Sequence, residues 1–239
     1  MVDTVTLLDS IRLILGLIIL LYASYTDVRT RKASNMLWVI MAITGSILIA
    51  IQYFNPGFEN LYILIFIPIM FGLVYLLFQL GLVFGGADAK ALMAIAILVP
   101  TQPQISQIPI WGQSYMPAAW TIFSNSLILF LAIPFGMFIY NVFKRNIKFP
   151  YCLLGYRMKI SKARNKFVWP LEKLVEGKRK FAYMPKGYET DEEFDEFEKN
   201  NIDEIWITPK IPFMIPLLIG FVFTFILGDL LATFMQLLI

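Results

Sequence analysis

Charge falls so unevenly along this chain that it constrains the fold more than any other feature: between Ala91 and Phe143 there is no Asp, Glu, Lys or Arg at all. A soluble domain has too little interior to hide such a stretch, whereas a bilayer demands about 20 apolar residues for each helix crossing its ~30 Å hydrocarbon core. The rest of the chain agrees, with 58% hydrophobic residues, 15% charged residues and a mean hydropathy of +0.68. Dividing the sequence at its charges and prolines predicts six spans. They are Leu7–Thr26 with Arg12 near its start, Met36–Tyr53, Leu61–Leu80, a short Ala89–Val99 that stops at Pro100, Ala118–Phe143, and a last one from Pro212 to the C-terminus. The expected fold is an all-α membrane protein of six transmembrane helices. Asp3 and Asp9 precede the first apolar run, where a cleavable signal peptide would carry positive charge, so that run is read as a span.

Lys and Arg set the orientation, because positive loops stay in the cytoplasm. Arg29, Arg31 and Lys32 fall between spans one and two, Lys90 between three and four, and fifteen more from Lys144 to Lys210 between five and six. The opposite loops, Phe54 to Asn60 and Thr101 to Pro117, contain none, so both termini are placed outside. Arg12 is the exception to the pattern.

The organisation that follows is a membrane domain over 1–143, a cytoplasmic insert over 144–208 and a final membrane helix over 209–239. Within the insert, Lys144 to Lys186 holds thirteen basic and two acidic residues, and Gly187 to Glu204 holds nine acidic and one basic. Thr190 and Glu193 form a capping-box pattern, and Phe194 and Phe197 share one helical face, which predicts a helix near Asp191 to Asn200. Lys180–Met184 and Glu204–Thr208 read as short strands, so the insert is expected to be α+β. Its basic half is expected to lie against anionic lipid headgroups. The acidic run Glu189 to Glu198 is either a solvated helix face or an attractor for a basic partner.

The absence of histidine removes Ser-His-Asp and Cys-His catalysis and His-ligated metals, because each needs an imidazole. Cys152 is the only cysteine, so neither an intramolecular disulfide nor a thiolate zinc site is available. Carboxylates near the membrane remain, and there an ionisable group is costly enough to suggest a function. Asp27 ends span one in Tyr25-Thr26-Asp27-Val28-Arg29, and Asp88 opens span four in Gly85-Gly86-Ala87-Asp88-Ala89-Lys90, both at the cytoplasmic face. Asp229 falls at another depth and reads as a packing or interfacial residue.

Two aspartates from different helices at one depth are able to activate water, one accepting its proton while the other, protonated, donates to a scissile carbonyl. Asp88 also suits a helix N-cap, whereas Asp27 faces the unfavourable end of a helix dipole. Gly85 and Gly86 would admit an extended substrate backbone, or simply form a turn. Lys90 either neutralises charge beside Asp88, holds substrate or sets topology; Tyr25 either orients Asp27 or anchors at the interface. An ion-coupled transporter, a Ser-Lys hydrolase using Lys90 and a non-enzymatic scaffold are the alternatives.

At these residues the chain resembles the type IV prepilin peptidases and their archaeal relatives, the preflagellin peptidases, both intramembrane GxGD aspartyl proteases. The likeness rests on Gly85-Gly86-Ala87-Asp88-Ala89-Lys90, on Tyr25-Thr26-Asp27-Val28-Arg29, on Ser34-Asn35, and on Pro209-Lys210-Ile211-Pro212-Phe213 before the last span. It implies catalysis by Asp27 and Asp88, with Gly85, Gly86, Ala87, Lys90 and Tyr25 supporting or meeting the substrate. That substrate would be a preflagellin or pilin-like precursor with a basic leader before a hydrophobic helix, cut on the cytoplasmic side. Membrane lipid is the other expected partner; no nucleic acid, metal or organic cofactor is expected. Ala87 stands where the motif has its second glycine, and the paired CxxC module of many bacterial members is missing, so no methyltransferase activity is expected. The large insert favours the archaeal branch.

Overall fold

The protein is described by a computed structural model that covers residues 4–55, 58, 61–80, 85–105, 108–111, 114, 116–182 and 190–238. It divides into two compact units, Met1–Phe130 with Pro212–Ile239, and Leu131–Ile211.

The first unit is helical. It contains α1 (Thr4–Thr30), α2 (Asn35–Phe54), a 3-10 turn (Leu61–Ile65) running into α3 (Phe66–Gln79), α4 (Gly86–Leu98), and the start of α5 (Ala118–Phe143). The same unit closes with α9 (Met214–Ile226) and α10 (Leu230–Leu238). α4 is the centre of the packing, with α2 and α3 against it, while α1 lies along α9. The sequence explains α4's position: Ala89, Ala91, Ala94 and Ala96 are small enough for neighbouring backbones to approach, and all four are buried with Leu92, Ile95 and Leu98. Gly45 of α2 completes the approach, since a Cβ there would lie 2.7 Å from the Leu98 Cα. Large apolar side chains such as Ile14, Ile18, Ile43 and Ile47 point outward, as a lipid solvent requires.

Four helical segments, Thr4–Thr30, Asn35–Phe54, Leu61–Gln79 and Ala118–Phe143, are long and apolar enough to cross a membrane. The expected fourth span corresponds to α4, whose 13 residues reach about 20 Å, short of a ~30 Å core. The expected sixth span is not one straight helix: α9 and α10 meet at a bend of 66°, and count as a fifth crossing only if taken together.

The bend is stabilised from a distance. Gly228 adopts φ 101°, a conformation that suits glycine. The buried Asn125 of α5 donates to Thr224 Oγ1 (3.0 Å) and to the Gly228 carbonyl (2.9 Å), and accepts from the Leu230 amide (3.0 Å). The amides of Ile110 and Trp111 donate to the carbonyls of Ile226 and Leu227. Non-helical backbone inside a membrane protein persists where protein satisfies it in this way.

The second unit joins the rest of α5 to α6 (Tyr151–Leu154), β1 (Tyr156–Lys159), α7 (Ile160–Ala163), β2 (Val168–Pro170), β3 (Glu172–Val175), β4 (Lys178–Phe181), α8 (Thr190–Lys199) and β5 (Glu204–Pro209). β5 is central in an antiparallel sheet of order β1-β5-β2, and β3 and β4 form a hairpin. Strand alternation gives β5 two buried faces: Ile205 and Ile207 join Phe194 and Phe197 of α8, while Trp206 joins Tyr151, Cys152 and Leu171. The aromatic pair read from the sequence thus docks α8 as expected. The expected strand Lys180–Met184 is instead Lys178–Phe181, with residues 183 and 184 outside the described residues, as are Glu189 and the side chain of Thr190. β1, β2 and β3 were not expected. Arg164 bonds Asp195 and Glu198 (3.0 Å) and lies 3.9 Å from Asp191, so three acids of the run face a cation of their own unit.

Candidate active site

α1 continues past the expected end of span one, so Asp27 lies on its last helical turn, half-buried. The turn closes when the Arg31 amide, at φ 56°, donates to the Asp27 carbonyl (2.9 Å). Ser24, one turn earlier and buried, donates to the Met214 carbonyl at 3.0 Å and thereby ties this end of α1 to the start of α9.

Asp88 does not cap α4. Gly85 is the N-cap, and Asp88 occupies the third helical position, where a carboxylate meets the favourable end of the helix dipole. Its carboxylate folds back over the cap, and a Cβ on Gly85 would collide with it. Gly86 is different: among the described residues a Cβ there would meet nothing nearer than Phe78 Cε2 at 4.0 Å. Gly85 is therefore needed for the position of Asp88, whereas Gly86 leaves open space beside it. Ala87 is partly buried and packs against the bundle core.

The charge of Asp27 acts on Asp88 through space, and that of Arg31 acts on Asp27. The two half-buried carboxylates thus stand at the end of α1 and the start of α4, helices that touch each other. The other candidates turn elsewhere. Lys90 Nζ donates to Asn35 Oδ1 at 2.9 Å, linking the first turn of α4 to the start of α2. Tyr25 is exposed, with the Arg29 guanidinium 4.9 Å above its ring, and has no hydrogen bond to Asp27 among the described residues. Asp229, expected as a helix-packing or interfacial residue, instead accepts from the Ala232 amide at 3.0 Å and caps α10. Among the described residues no group of three Cys, Asp or Glu side chains is placed to hold a metal ion.

Sequence reasoning noted Arg12 only as a break in the charge pattern. The structure buries it completely, pairing it with Asp9 at 2.7 Å and with Gln52 Oε1 at 2.7 Å, while Asp9 also accepts from the Gln104 amide at 2.8 Å. The i, i+3 spacing of Asp9 and Arg12 was the available signal for that pair. Asn35 entered the sequence reading in the Ser34-Asn35 likeness and Arg31 as a loop cation, but the bond from Lys90 to Asn35 was not foreseen.

Fold and site together define a membrane-embedded helical protein with two coupled carboxylates at one helix end each. The comparisons with known proteins make this specific: the chain belongs to the type IV leader peptidase family, whose model matches residues 14–142 and so contains Asp27 and Asp88. A second model, archaeal peptidase A24 C-terminus type II, matches residues 147–230. Similar proteins include the preflagellin peptidases of Methanocaldococcus jannaschii and Methanococcus voltae. The first is 31% identical over 231 residues, 92% of this chain and 94% of the relative. The second is 29% identical over 235 residues, 90% of this chain and 94% of the relative. The chain is a membrane-embedded, leader-processing peptidase.

Proposed function

We propose that this peptidase is an aspartyl endopeptidase that removes a short basic leader from preflagellin or pilin-like precursors at the cytoplasmic face of the membrane. The observation that carries this reading is the placement of two half-buried carboxylates, Asp27 on the last turn of α1 and Asp88 on the first turn of α4, on helices that touch, beside the open side of Gly86. One carboxylate takes a proton from water as its oxygen attacks the scissile carbonyl, and the other, protonated, donates to the carbonyl oxygen. Collapse of the tetrahedral intermediate, with proton transfer to the leaving nitrogen, releases the leader and the new N-terminus. The substrate segment must be unwound first, because a helical carbonyl is already engaged.

The positive loops support a cytoplasmic site and external termini. A six-span topology accommodates α4 as a short crossing: α2 and α3 pack against it, and the non-helical stretch from Val99 to Gln104 continues from its end. No methyltransferase activity accompanies the proteolysis.

The test is cleavage of a preflagellin-like substrate by membranes containing the wild type, Asp27→Asn or Asp88→Asn, read by mass spectrometry of the new N-terminus. Cleavage at the basic/apolar boundary by the wild type alone is the expected result. Robust cleavage by either variant removes the dyad, and a folded wild type inactive on several leaders removes preflagellin and pilin-like precursors as the substrate.

A further inference from the structure

The second unit contains a cavity of about 330 Å³ that proteolysis does not use. Arg145, Lys148, Arg157 and Arg179 line it together with Glu172 and Trp206. Strand pairing explains part of the assembly, since Arg157 of β1 stands directly opposite Trp206 of β5. The carboxylate in the cavity is already committed: Glu172, 2% exposed, accepts from Arg179 Nη2 and from the Trp206 amide (3.3 Å), and Arg179 also donates to the Glu204 carbonyl at 2.7 Å. Burial, then the nearby Glu172 charge, pushes the Tyr151 phenol above its ordinary pKa, so the ring under Lys148 (4.7 Å) stays neutral.

Arg145, Lys148 and Arg157 therefore converge on the cavity with no ion pair among the described residues. Like charges drawn together repel, and an anion between them reverses the sign of that interaction. Arg145 is also held at φ 56°, directly after α5, in a closure made by its own amide to the Val142 carbonyl and by the Asn146 amide to the Asn141 carbonyl. Glycine is the residue that suits such a position, so the arginine is kept there at a conformational cost.

The surroundings indicate the source of the anion. α5 is the helix whose charge-free run ends at Phe143, and the next residues interleave cations with exposed apolar side chains: Phe143, Ile147 and Phe149 around Lys144, Arg145 and Lys148. Free phosphate needs only the cations. A headgroup joined to acyl chains needs both. The volume lies at the small end of ligand pockets, about 300–1,000 Å³, which fits a headgroup and excludes its chains.

We propose that this cavity is a binding site for the phosphate of an anionic membrane lipid, held by Arg145, Lys148 and Arg157. The site clamps the basic half of the insert to the bilayer surface at the end of α5.

The experiment is native mass spectrometry of the full chain in detergent with added phosphatidylglycerol or phosphatidylcholine, alongside thermal unfolding. Retention of phosphatidylglycerol over phosphatidylcholine is expected, with Lys148→Gln and Arg157→Gln each weakening it about tenfold, the loss of one charge-assisted contact. Arg145→Gly separates binding from folding, because relief of the positive φ should raise the unfolding temperature while lipid retention falls. The double variant Lys162→Gln/Lys166→Gln removes twice the charge of any single pocket variant, elsewhere in the unit, and should leave retention unchanged. Equal loss in that control, or retention surviving in the three pocket variants, overturns the site. Displacement of the lipid by millimolar inorganic phosphate would overturn the lipid as its occupant and leave free phosphate in its place.

Discussion

The contrast between Gly85 and Gly86 yields the sharpest test of how the site is built. A Cβ on Gly85 would stand 3.0 Å from Asp88 Cγ and closer still to Oδ2, so in Gly85→Ala the carboxylate must turn away. Turning a side chain some 30° from its rotamer costs about 0.5–1.5 kcal/mol, too little to unfold the bundle. The catalytic consequence is larger, because displacing a reacting group by about 1 Å costs roughly a hundredfold in rate. Among the described residues the Gly86→Ala methyl group meets only Phe78 Cε2, at an unstrained 4.0 Å, and the substitution adds a better helix former at the start of α4. Initial rates on a preflagellin-like substrate should therefore show kcat about a hundredfold lower for Gly85→Ala with nearly unchanged KM and unfolding temperature. Gly86→Ala should keep its stability and raise KM, since its new methyl group lies where an extended substrate backbone would pass. A Gly85→Ala enzyme with kcat within about threefold of wild type would refute the claim that this glycine positions Asp88. Wild-type KM in Gly86→Ala would place the substrate elsewhere.

Other consequences follow from the buried polar groups. Arg12→Met leaves the Asp9 carboxylate, 1% exposed, with only the Gln104 amide, and should destabilise the bundle by about 3–5 kcal/mol. Asp9→Asn/Arg12→Met should recover much of that loss in a reversible unfolding assay, and equal losses in single and double variants would deny the pairing. Asn125→Leu orphans the Gly228 carbonyl and the Leu230 amide at the bend, at about 1–3 kcal/mol per group. Faster hydrogen exchange at Leu230 is its signature, and unchanged protection there would remove Asn125 as the brace. Lys90→Met breaks an exposed bond to Asn35 and should change stability by less than about 1 kcal/mol while kcat stays within threefold; a large loss of kcat would restore Lys90 to the charge balance of Asp88.

What the sequence discloses about this chain depends on whether the partner of each residue is water or another residue. The ends of α5 were legible because Pro117 and Lys144 bound a run that water rejects, and α8 was legible because Phe194 and Phe197 fall on one face. The aspartate motifs were legible because each is a local pattern, glycines before Asp88 and a carboxylate among cations at a helix end for Asp27. Hydropathy, however, does not separate a helix surrounded by lipid from one surrounded by protein, so the sequence showed α4 only as a short apolar run and not that its alanines bring α2 and α3 onto it. The bend at Gly228 was illegible for a related reason: its carbonyl and the Leu230 amide are satisfied by Asn125, more than 100 residues earlier. The same holds for Arg12, whose second partner is Gln52 on another helix, and for Lys90, which bonds Asn35 instead of its neighbour Asp88. In a bilayer each polar group must find its partner within the protein. The polar residues that composition makes rare are thus the ones whose meaning is decided by long-range packing. Asp27 and Asp88 stand apart because their surroundings leave both carboxylates half-exposed, as the proposed dyad requires of groups that meet a water and a peptide.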